Sequence, residues 1–218
     1  MGSAVPKQYL ELNGRLVIDH TIERLLLHPS IDGLYLALSE EDALWDRSEF
    51  ARHPDLVRVP GGTERCYSVR NALQALSPRA RAHDWVLVHD AARPCIRRSD
   101  IDHLIRMASG HEVGGLLGVP VSDTIKRTDA ADRIVDTVDR NHLWRAFTPQ
   151  MFRFGTLYGA LTTALEAGFL VTDEASAVER AGHSPIMVEG HADNLKITRP
   201  EDLPLAAYFL DRQSAEGV

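Results

Sequence analysis

The lysines of this chain are notable because they make up three of its 24 basic residues. They are Lys7 in PKQYL, Lys126 in DTIKR and Lys196 in NLKITRP. Arginine therefore supplies the ordinary surface cations, and a compact, rotatable ammonium suits a point-charge contact such as one to phosphate. Any single lysine can equally be a solvated surface residue, since most charged residues lie at the surface. The three together favour a site for an anionic ligand.

Short apolar segments that alternate with amphipathic ones predict the elements that position these cations. The alternation is typical of an α/β fold with a mostly parallel sheet and helices on both faces. The predicted strands are 34–38, 56–59, 85–90, 115–121, 143–150 and 185–190. The predicted helices are one that follows Gly14 and ends at His28 and Pro29, then 40–52, 64–76, 99–109 with Ser99 as N-cap, 154–168, 172–182 and 200–212.

Residues 123–139 interrupt the alternation. They combine charges, threonines and β-branched residues with a turn-forming DAAD at 129–132, and this pattern predicts an exposed β-hairpin. A protruding hairpin needs a surface to pack on, so we expect it to be the arm of a homodimer. The rest of residues 1–218 contains no linker or repeat and is interpreted as one domain.

The segments that follow the strands are candidates for the site, because ligands of open α/β sheets lie beyond the carboxyl ends of the strands. These segments are GGTER, HDAARP, PVSDT, FTPQ and the loop from VEG to NLK. In the first, the backbone of Gly62 and Thr63 with the Ser68 hydroxyl could recognise the edge of a base. An ordinary turn with Thr63 as helix cap explains the same residues.

The HDAARP segment carries the stronger signal, since it places Asp90 at the mouth of the predicted cleft with Arg93 just beyond. The alternative is a local ion pair between these two residues, with His89 satisfied in the turn. Thr172 is similarly open to two interpretations: it could cap a helix, or it could contact a phosphate if the two acids after it point away. Arg140 and Thr148 are ambiguous singly.

The reaction class follows from what these segments contain. A basic cleft with a carboxylate, and with no evident Ser-His-Asp or Cys-His nucleophile system, suits phosphoryl or nucleotidyl transfer. Catalysis there is positioning and charge stabilisation, and a phosphate oxygen of one substrate can attack directly.

Composition excludes several other classes. The two cysteines, Cys66 and Cys95, lack ligand-like spacing, so we expect a reduced cytoplasmic protein without structural zinc, and any metal should arrive with the substrate. No apolar run approaches the length of a membrane span, which predicts no membrane partner. The formal net charge of −7 argues against non-specific nucleic-acid binding and requires positive potential to be focused in the cleft.

The segments together resemble the 2-C-methyl-D-erythritol 4-phosphate cytidylyltransferase (IspD) family, nearly end to end. The matching segments are PKQYL, HTIERLLLHP, GGTERCYSV, WVLVHDAARPC, PVSDTIKR, TVDRNHLWRAFTPQ, TDEASAVE and VEGHADNLKITRPEDL. The resemblance implies a Rossmann-like nucleotidyltransferase fold and a homodimer. It implies that CTP and methylerythritol phosphate, with Mg²⁺, yield the CDP-alcohol and pyrophosphate without a covalent enzyme intermediate.

The same resemblance implies roles for individual residues. Lys7 would stabilise the α-phosphoryl transition state, and Lys196 would bind phosphate in the same catalytic site. Nucleotide recognition would fall to Gly62, Thr63, Ser68 and Ala91. The methylerythritol phosphate would be held by Asp90, Arg140, Thr148 and Thr172. Arg93 and Thr124 would reach the site of the other subunit, while no role carries over to Lys126.

The departure from the family lies at the N-terminus. A strand and a glycine-rich loop of the form AAG-x-G-x-R precede the methionine that aligns with Met1 in the family. We expect the natural protein to carry them upstream, and we expect the 218-residue chain alone to be destabilised. Two alternatives remain open: a ribitol-5-phosphate cytidylyltransferase, since polyol identity rests on a few side chains, and a catalytically inactive nucleotide-binding dimer.

Overall fold

The structure is a computed structural model that describes residues 5–216. In chain order its elements are β1 (Glu11–Leu12), β2 (Arg15–Leu16), α1 (Val17–Leu26), β3 (Leu34–Leu38), β4 (Leu56–Pro60), α2 (Arg65–Leu76), β5 (Trp85–Val88), α3 (Arg98–Ser109), β6 (Gly114–Pro120), β7 (Ile125–Thr128), β8 (Ile134–Val138), β9 (Trp144–Arg153), α4 (Phe154–Glu166), α5 (Glu174–Arg180), β10 (Ile186–Glu189) and α6 (Asp202–Ala215). Single 3₁₀ turns lie at Lys7–Tyr9 and Trp45–Arg47. Every helix among the described residues is too short or too polar to span a bilayer.

The largest sheet has the order β10-β6-β9-β5, and it is mixed. β10 and β6 are parallel, whereas β9 is antiparallel to both β6 and β5. The prediction of a mostly parallel sheet is therefore wrong. The reason is the hairpin: the chain leaves β6, forms β7 and β8, and returns beside β6, so β9 runs in the opposite direction.

A smaller parallel sheet joins β3 and β4, and a tight antiparallel turn joins β1 and β2. Asn13 and Gly14 both have positive φ, 50° and 79°, which is the backbone that a two-residue hairpin turn requires. This turn leads directly into α1. The predicted strand at 34–38 is confirmed, and the strand at 56–59 is one residue longer.

Helices cover both faces of the large sheet, as predicted. Leu116 and Phe152 lie in a buried cluster with residues of α2, α4 and α5. The adjacent Leu117 and Met151 point the other way, into a cluster with residues of α1 and α3. The alternation of successive side chains along each strand thus builds two separate core layers.

The predicted helix at 40–52 is wrong, because side chains satisfy its backbone in another way. Asp42 Oδ1 accepts hydrogen bonds from the backbone N–H groups of Leu44 and Trp45. Ser48 donates to the buried Asp19 carboxylate at 2.5 Å. Such local side-chain contacts compete with helix formation. The buried Trp45 ring then fixes the segment against the core as a single 3₁₀ turn.

The hairpin of β7 and β8 is present, and nearly all of its residues are exposed. Ile134 and Val135 are 65% and 63% exposed. The sequence pattern thus predicted the hairpin correctly. Lys126 donates a hydrogen bond to Thr137 Oγ1 across the two strands at 2.6 Å, so this lysine braces the hairpin.

The two-layer core makes one prediction about stability. Phe152 is fully buried, so Phe152→Ala should lower the free energy of unfolding by about 3–5 kcal/mol through lost burial and the cavity left behind. The exposed Leu27 provides the control, and Leu27→Ala should change it by less than about 0.5 kcal/mol. Urea unfolding followed by circular dichroism measures both. Equal effects would contradict this assignment of the core.

Candidate active site

A cavity of about 160 Å³ lies where β5 ends, against β9. Its lining residues are Arg65, Asp90, Arg93, Ala146, Phe147, Thr148, Gln150, Thr172, Asp173 and Lys196. Five of them are predicted site residues: Asp90, Arg93, Thr148, Thr172 and Lys196. The structure therefore brings together segments that are up to about a hundred residues apart in sequence.

Asp90 is the centre of this cavity. Lys196 Nζ lies 2.9 Å from its Oδ2, Arg65 Nε lies 2.9 Å from its Oδ1, and Arg93 Nε lies 3.4 Å from its Oδ2. Burial alone would raise the pKa of Asp90, but the charges of Arg65 and Lys196 outweigh burial and hold this pKa well below its usual range. The carboxylate is therefore ionised at any pH near neutrality.

Arg65 also binds a second carboxylate, that of Glu174 at the start of α5. Its Nη1 and Nη2 lie 2.6 and 3.0 Å from the two oxygens of Glu174, which is 1% exposed. Burial opposes the charge on Arg65, yet the two carboxylates outweigh burial and raise its pKa. Burial raises the pKa of Glu174, and the charge of Arg65 partly offsets that rise.

His89 does not line the cavity but contacts two residues that do, Thr148 and Arg93. The Asp90 N–H donates to Thr148 Oγ1 at 3.1 Å, and Thr148 Oγ1 lies 3.0 Å from His89 Nδ1. His89 Nε2 lies 3.2 Å from the carbonyl oxygen of Arg93. Burial lowers the pKa of His89 to about 4, so the ring is neutral. A neutral ring protonated at Nε2 accepts from the Thr148 hydroxyl and donates to the Arg93 carbonyl, which satisfies every contact.

Both features of the local alternative are thus present, the Asp90–Arg93 ion pair and a satisfied His89. They do not account for the whole arrangement, because Lys196 and Arg65 converge on the same carboxylate from distant elements.

The loop that carries Lys196 is held by a fully buried residue, Asn194. Its Nδ2 donates to the backbone carbonyl oxygen of Thr148 at 2.8 Å, and its backbone carbonyl oxygen accepts from Arg93 Nη1 at 2.8 Å. At the outer end of the loop, Arg97 lies 2.6 Å from Asp193. These contacts fix the position of the Lys196 ammonium beside Asp90.

Lys7 is the other predicted catalytic lysine, and it lies in the 3₁₀ turn near the cavity. Burial and the neighbouring Lys196 ammonium lower the pKa of Lys7, while Asp90 opposes them. Two ammonium groups therefore act on the same small region. Such a like-charge pair favours the arrival of an anion.

The predicted nucleotide segment lies at the start of α2, outside the cavity lining. Gly62 N–H donates to Ser68 Oγ at 2.9 Å, so these two predicted residues are in contact. A Cβ at Gly62 would lie 2.2 Å from the Cβ of Tyr67, which explains the glycine by packing. Thr63 is not the helix cap, since Glu64 holds that position without a side-chain bond. The Ala91 carbonyl accepts from the Thr21 hydroxyl at 2.9 Å.

Thr172 is not a helix cap either. Asp173 is the N-cap of α5, where it forms a capping box with Ser176. Gln150 donates to Asp173 at 3.0 Å and accepts from the Ala175 N–H at 2.8 Å. The two acids after Thr172 are therefore engaged with these residues and with Arg65, which leaves Thr172 to line the cavity. Ser99 is not a cap: α3 begins one residue earlier, with Arg97 as N-cap.

Three predicted residues are placed differently from the rest. Thr124 and Arg140 lie at the base of the hairpin, exposed and outside the cavity lining, and Arg140 donates to the carbonyl oxygen of Ser122. Arg93 is 9% exposed and is engaged by Asp90 and Asn194 of its own chain. Arg93 therefore lines the cavity of its own chain, and its contribution to the site of another subunit stays a prediction.

Sequence reasoning missed the residues that support the site: Arg65, Gln150, Glu174 and Asn194. Two signals were available, since Arg65 lies in the GGTER segment and Asn194 precedes Lys196 by two residues. The contacts of Gln150 and Glu174 cross between elements and leave no local pattern.

A mixed α/β fold with a small basic cavity around a carboxylate, and without an evident nucleophile system, is typical of a nucleotidyltransferase. The profile of the family described as "IspD: 2-C-methyl-D-erythritol 4-phosphate cytidylyltransferase" matches residues 1–212. The chain belongs to this family.

Individual relatives agree. The 2-C-methyl-D-erythritol 4-phosphate cytidylyltransferase of Vibrio vulnificus strain CMCP6 is 52% identical over 208 residues, 95% of this chain and 88% of that protein. The one from Hahella chejuensis is 52% identical over 212 residues, 97% of this chain and 88% of that protein. The crystal structure of the Francisella tularensis enzyme superposes with a TM-score of 0.86, at 35% identity, over 94% of each chain. A crystal structure of a 4-diphosphocytidyl-2C-methyl-D-erythritol synthase gives a TM-score of 0.85 at 39% identity, over 94% of this chain and 95% of that one.

The burial of His89 makes a prediction about pH. Its pKa is about 4 in the folded chain and 6.5 in the unfolded chain, so between these values the unfolded state binds more protons. The free energy of unfolding should therefore be independent of this histidine's titration above pH 6.5. It should fall as the pH is lowered from 6.5 towards 4, by at most about 1.4 kcal/mol per pH unit. His89→Gln, which retains a donor and an acceptor, should flatten this part of the profile.

The matched control is His183→Gln, because His183 is exposed. Urea unfolding of the three proteins at a series of pH values makes the comparison. The buried neutral His89 would be contradicted by parallel profiles for the wild type and His89→Gln.

Proposed function

We propose that this chain transfers the cytidylyl group of CTP to 2-C-methyl-D-erythritol 4-phosphate, which yields the CDP-alcohol and pyrophosphate for isoprenoid biosynthesis. The observation that carries the proposal is the cluster of cations around Asp90 in a chain of this family. The family matches favour it over the two alternatives, a ribitol-5-phosphate cytidylyltransferase and an inactive nucleotide-binding dimer.

The chemistry needs no covalent enzyme intermediate. A phosphate oxygen of the polyol phosphate attacks the α-phosphorus of CTP, a new P–O bond forms, and the bond to the β-phosphate breaks with release of pyrophosphate. The nucleophile is already anionic, so no general base is required. Lys7 and Lys196 stabilise the negative charge that develops on the phosphoryl oxygens, which is the largest contribution a protein makes to such a transfer.

Asp90 serves as a fixed hydrogen-bond acceptor rather than as a base. Its pKa is held far below neutrality, so it has little tendency to take a proton. A charged acceptor held by three basic residues suits the hydroxyl groups of a polyol. Thr148 and Thr172 line the same cavity and supply hydroxyl groups for the phosphate or polyol of this substrate. Arg93 adds positive charge from its own chain.

CTP would lie toward the start of α2, with the backbone of Gly62 and Thr63 and the hydroxyl of Ser68 at the cytosine and Ala91 near the ribose. The contact between Gly62 and Ser68 supports this assignment, because it holds a backbone turn and a hydroxyl side by side. Mg²⁺ would enter chelated by the triphosphate, as part of the substrate, which is the usual way this ion joins nucleotide sites. Residues 5–216 contain no cluster of three His, Cys, Asp or Glu side chains suited to a metal.

The hairpin would pack against a second copy of the chain and make the active unit a homodimer. Exposed Ile134 and Val135 give this arm apolar surface that its own chain does not cover. Thr124 at the base of the arm lies outside the cavity lining of its own chain, and it would contribute to the polyol site of the partner. Arg140, at the same end of the arm, would hold the methylerythritol phosphate.

Lys7 provides a test of the proposed reaction. Lys7→Ala should lower turnover by roughly 10²–10³-fold, the size expected when one group that stabilises transition-state charge is lost. Arg79→Ala is the control, because that exposed cation lies outside the cavity lining and its loss should leave turnover unchanged. Pyrophosphate release with CTP and Mg²⁺ is measured for methylerythritol phosphate and ribitol phosphate. Preference for ribitol phosphate, equal use of ATP, or full activity of Lys7→Ala would count against the proposal.

The action of the arm in trans can be tested by mixing two inactive chains. If Thr124 serves the partner's site and Lys7 its own, mixing Thr124→Ala and Lys7→Ala chains creates one intact site per mixed dimer. Random exchange makes half of the dimers mixed, so about a quarter of the wild-type activity should return. Absence of recovery after verified subunit exchange, or full activity in a monomer, would refute this arrangement.

A further inference from the structure

We propose that Arg65 and Glu174 form a positioning pair, in which a buried ion pair orients Asp90 for the polyol phosphate. Glu174 binds Arg65 through both carboxylate oxygens, at 2.6 and 3.0 Å. The third donor of the guanidinium, Nε, lies 2.9 Å from Asp90 Oδ1. The inference rests on the proposed function and adds residues to which the family resemblance assigned no role.

The geometry requires an arginine. A planar guanidinium presents Nε, Nη1 and Nη2 in fixed directions, so gripping one carboxylate with two nitrogens fixes where the third points. Arg65 thereby ties the first residue of α2 to the first residue of α5 and to the end of β5. A lysine at this position could neutralise charge but could not hold two carboxylates in a defined relative orientation.

The contact between Arg65 and Asp90 determines which carboxylate oxygen of Asp90 faces the other cations of the cavity. With Oδ1 of Asp90 occupied by Arg65, Oδ2 is the oxygen that faces Lys196 at 2.9 Å and Arg93 at 3.4 Å. Without Arg65 the carboxylate would be free to rotate and to pair more closely with Lys196. That rotation would displace the hydrogen-bond acceptor for the polyol.

Stability alone is a weak reason for such a pair. Replacing a buried ion pair by apolar side chains of similar size often leaves a protein equally stable, whereas removing one partner strands a charge and is costly. Glu174 does not line the cavity and is 1% exposed, so it touches no ligand. Any effect of Glu174 on substrate binding must therefore pass through Arg65 and the adjoining Thr172 segment.

Loss of the ion pair between Arg65 and Glu174 should weaken the binding of only one of the two substrates. Asp90 and Thr172 line the cavity, while the contact between Gly62 and Ser68 is internal to the start of α2 and does not involve the Arg65 side chain. Loss of the pair should raise KM for methylerythritol phosphate and leave KM for CTP nearly unchanged.

The decisive variant replaces both members, Arg65→Met with Glu174→Leu, so that no charge is stranded. It should melt close to the wild-type temperature, yet show a KM for methylerythritol phosphate raised about 10-fold or more, as expected for loss of a hydrogen bond to a charged group. KM for CTP should change by less than about 2-fold. A matched double variant away from the cavity, Arg15→Met with Glu23→Leu, removes an arginine that likewise binds two carboxylates, Glu23 at 2.8 Å and Glu49 at 2.9 Å, and should leave both KM values unchanged.

A second variant covers the case in which the double variant does not fold. Arg65→Lys keeps a cation beside Glu174 and should remain folded, but it loses the directed Nε contact and should show the same selective rise in KM. Wild-type KM values in either folded variant would overturn the proposal. A rise in the KM for CTP of equal size would also overturn it, since the pair would then act on α2 as a whole.

The proposed function and this inference can fail separately. Turnover of CTP and methylerythritol phosphate by the wild-type chain tests the function. The pair is tested independently by calorimetric titration of methylerythritol phosphate into each variant in the presence of a CTP analogue with a non-cleavable α–β bridge, which needs no turnover. Equal affinity in the wild type and in the double variant would refute the positioning role whatever the activity.

Discussion

Burial of the Asp90 carboxylate is the constraint on which the rest of the site depends. A charge that is removed from water must be compensated by partners with good geometry, because an unpaired buried charge is far more costly than any single contact is favourable. Asp90 is compensated by Arg65, Arg93 and Lys196, which come from three separate parts of the chain. Two of these cations are held in turn, Arg65 by Glu174 and Arg93 by the backbone carbonyl of Asn194. The contacts that neutralise the Asp90 carboxylate are thus the same contacts that fix the positions of the side chains in the site.

The topology of the sheet makes this network possible. Because β9 returns antiparallel beside β5, its residues Thr148 and Gln150 lie next to the end of β5. Residues two apart along a strand share a face. Thr148 reaches His89 and the Asp90 N–H, and Gln150 reaches the start of α5, so one strand braces both walls of the cavity. A parallel neighbour would have placed its own end there, with a loop in place of this rigid pair.

Local patterns predicted most elements and part of the site. The strand at 34–38, the helices α1, α2 and α4 and the hairpin follow from periodicity and turn residues alone. Asp90 and Lys196 follow from the rule that ligands lie beyond strand ends. Thr148 lies within β9, and its place in the cavity follows from the antiparallel pairing of that strand with β5. The helix at 40–52 failed because Asp42 and Ser48 bind backbone and side chains in a way that apolar periodicity does not record. The predicted direction of β9 was wrong because alternation of strands and helices in the sequence does not show whether a returning strand runs parallel or antiparallel to its neighbour.

The pair of Arg65 and Glu174 could not be predicted for a related reason: its members are 109 residues apart, and the sequence around neither residue points to the other. Glu174 in the first turn of a helix is ordinary dipole chemistry, and Arg65 at the start of α2 has no local explanation beyond a solvated surface.

The three lysines share one sequence signal but have different surroundings in the fold. Lys126 satisfied the same compositional argument as the others, yet it braces a hairpin through Thr137. Lys7 and Lys196 differ because both act on the region of one buried carboxylate, where burial and the Lys196 ammonium lower the pKa of Lys7. Residue type thus favoured a class of ligand, and the fold brings two of the three lysines close to one carboxylate. In a chain with a formal net charge of −7, this local convergence of cations focuses positive potential in one small region.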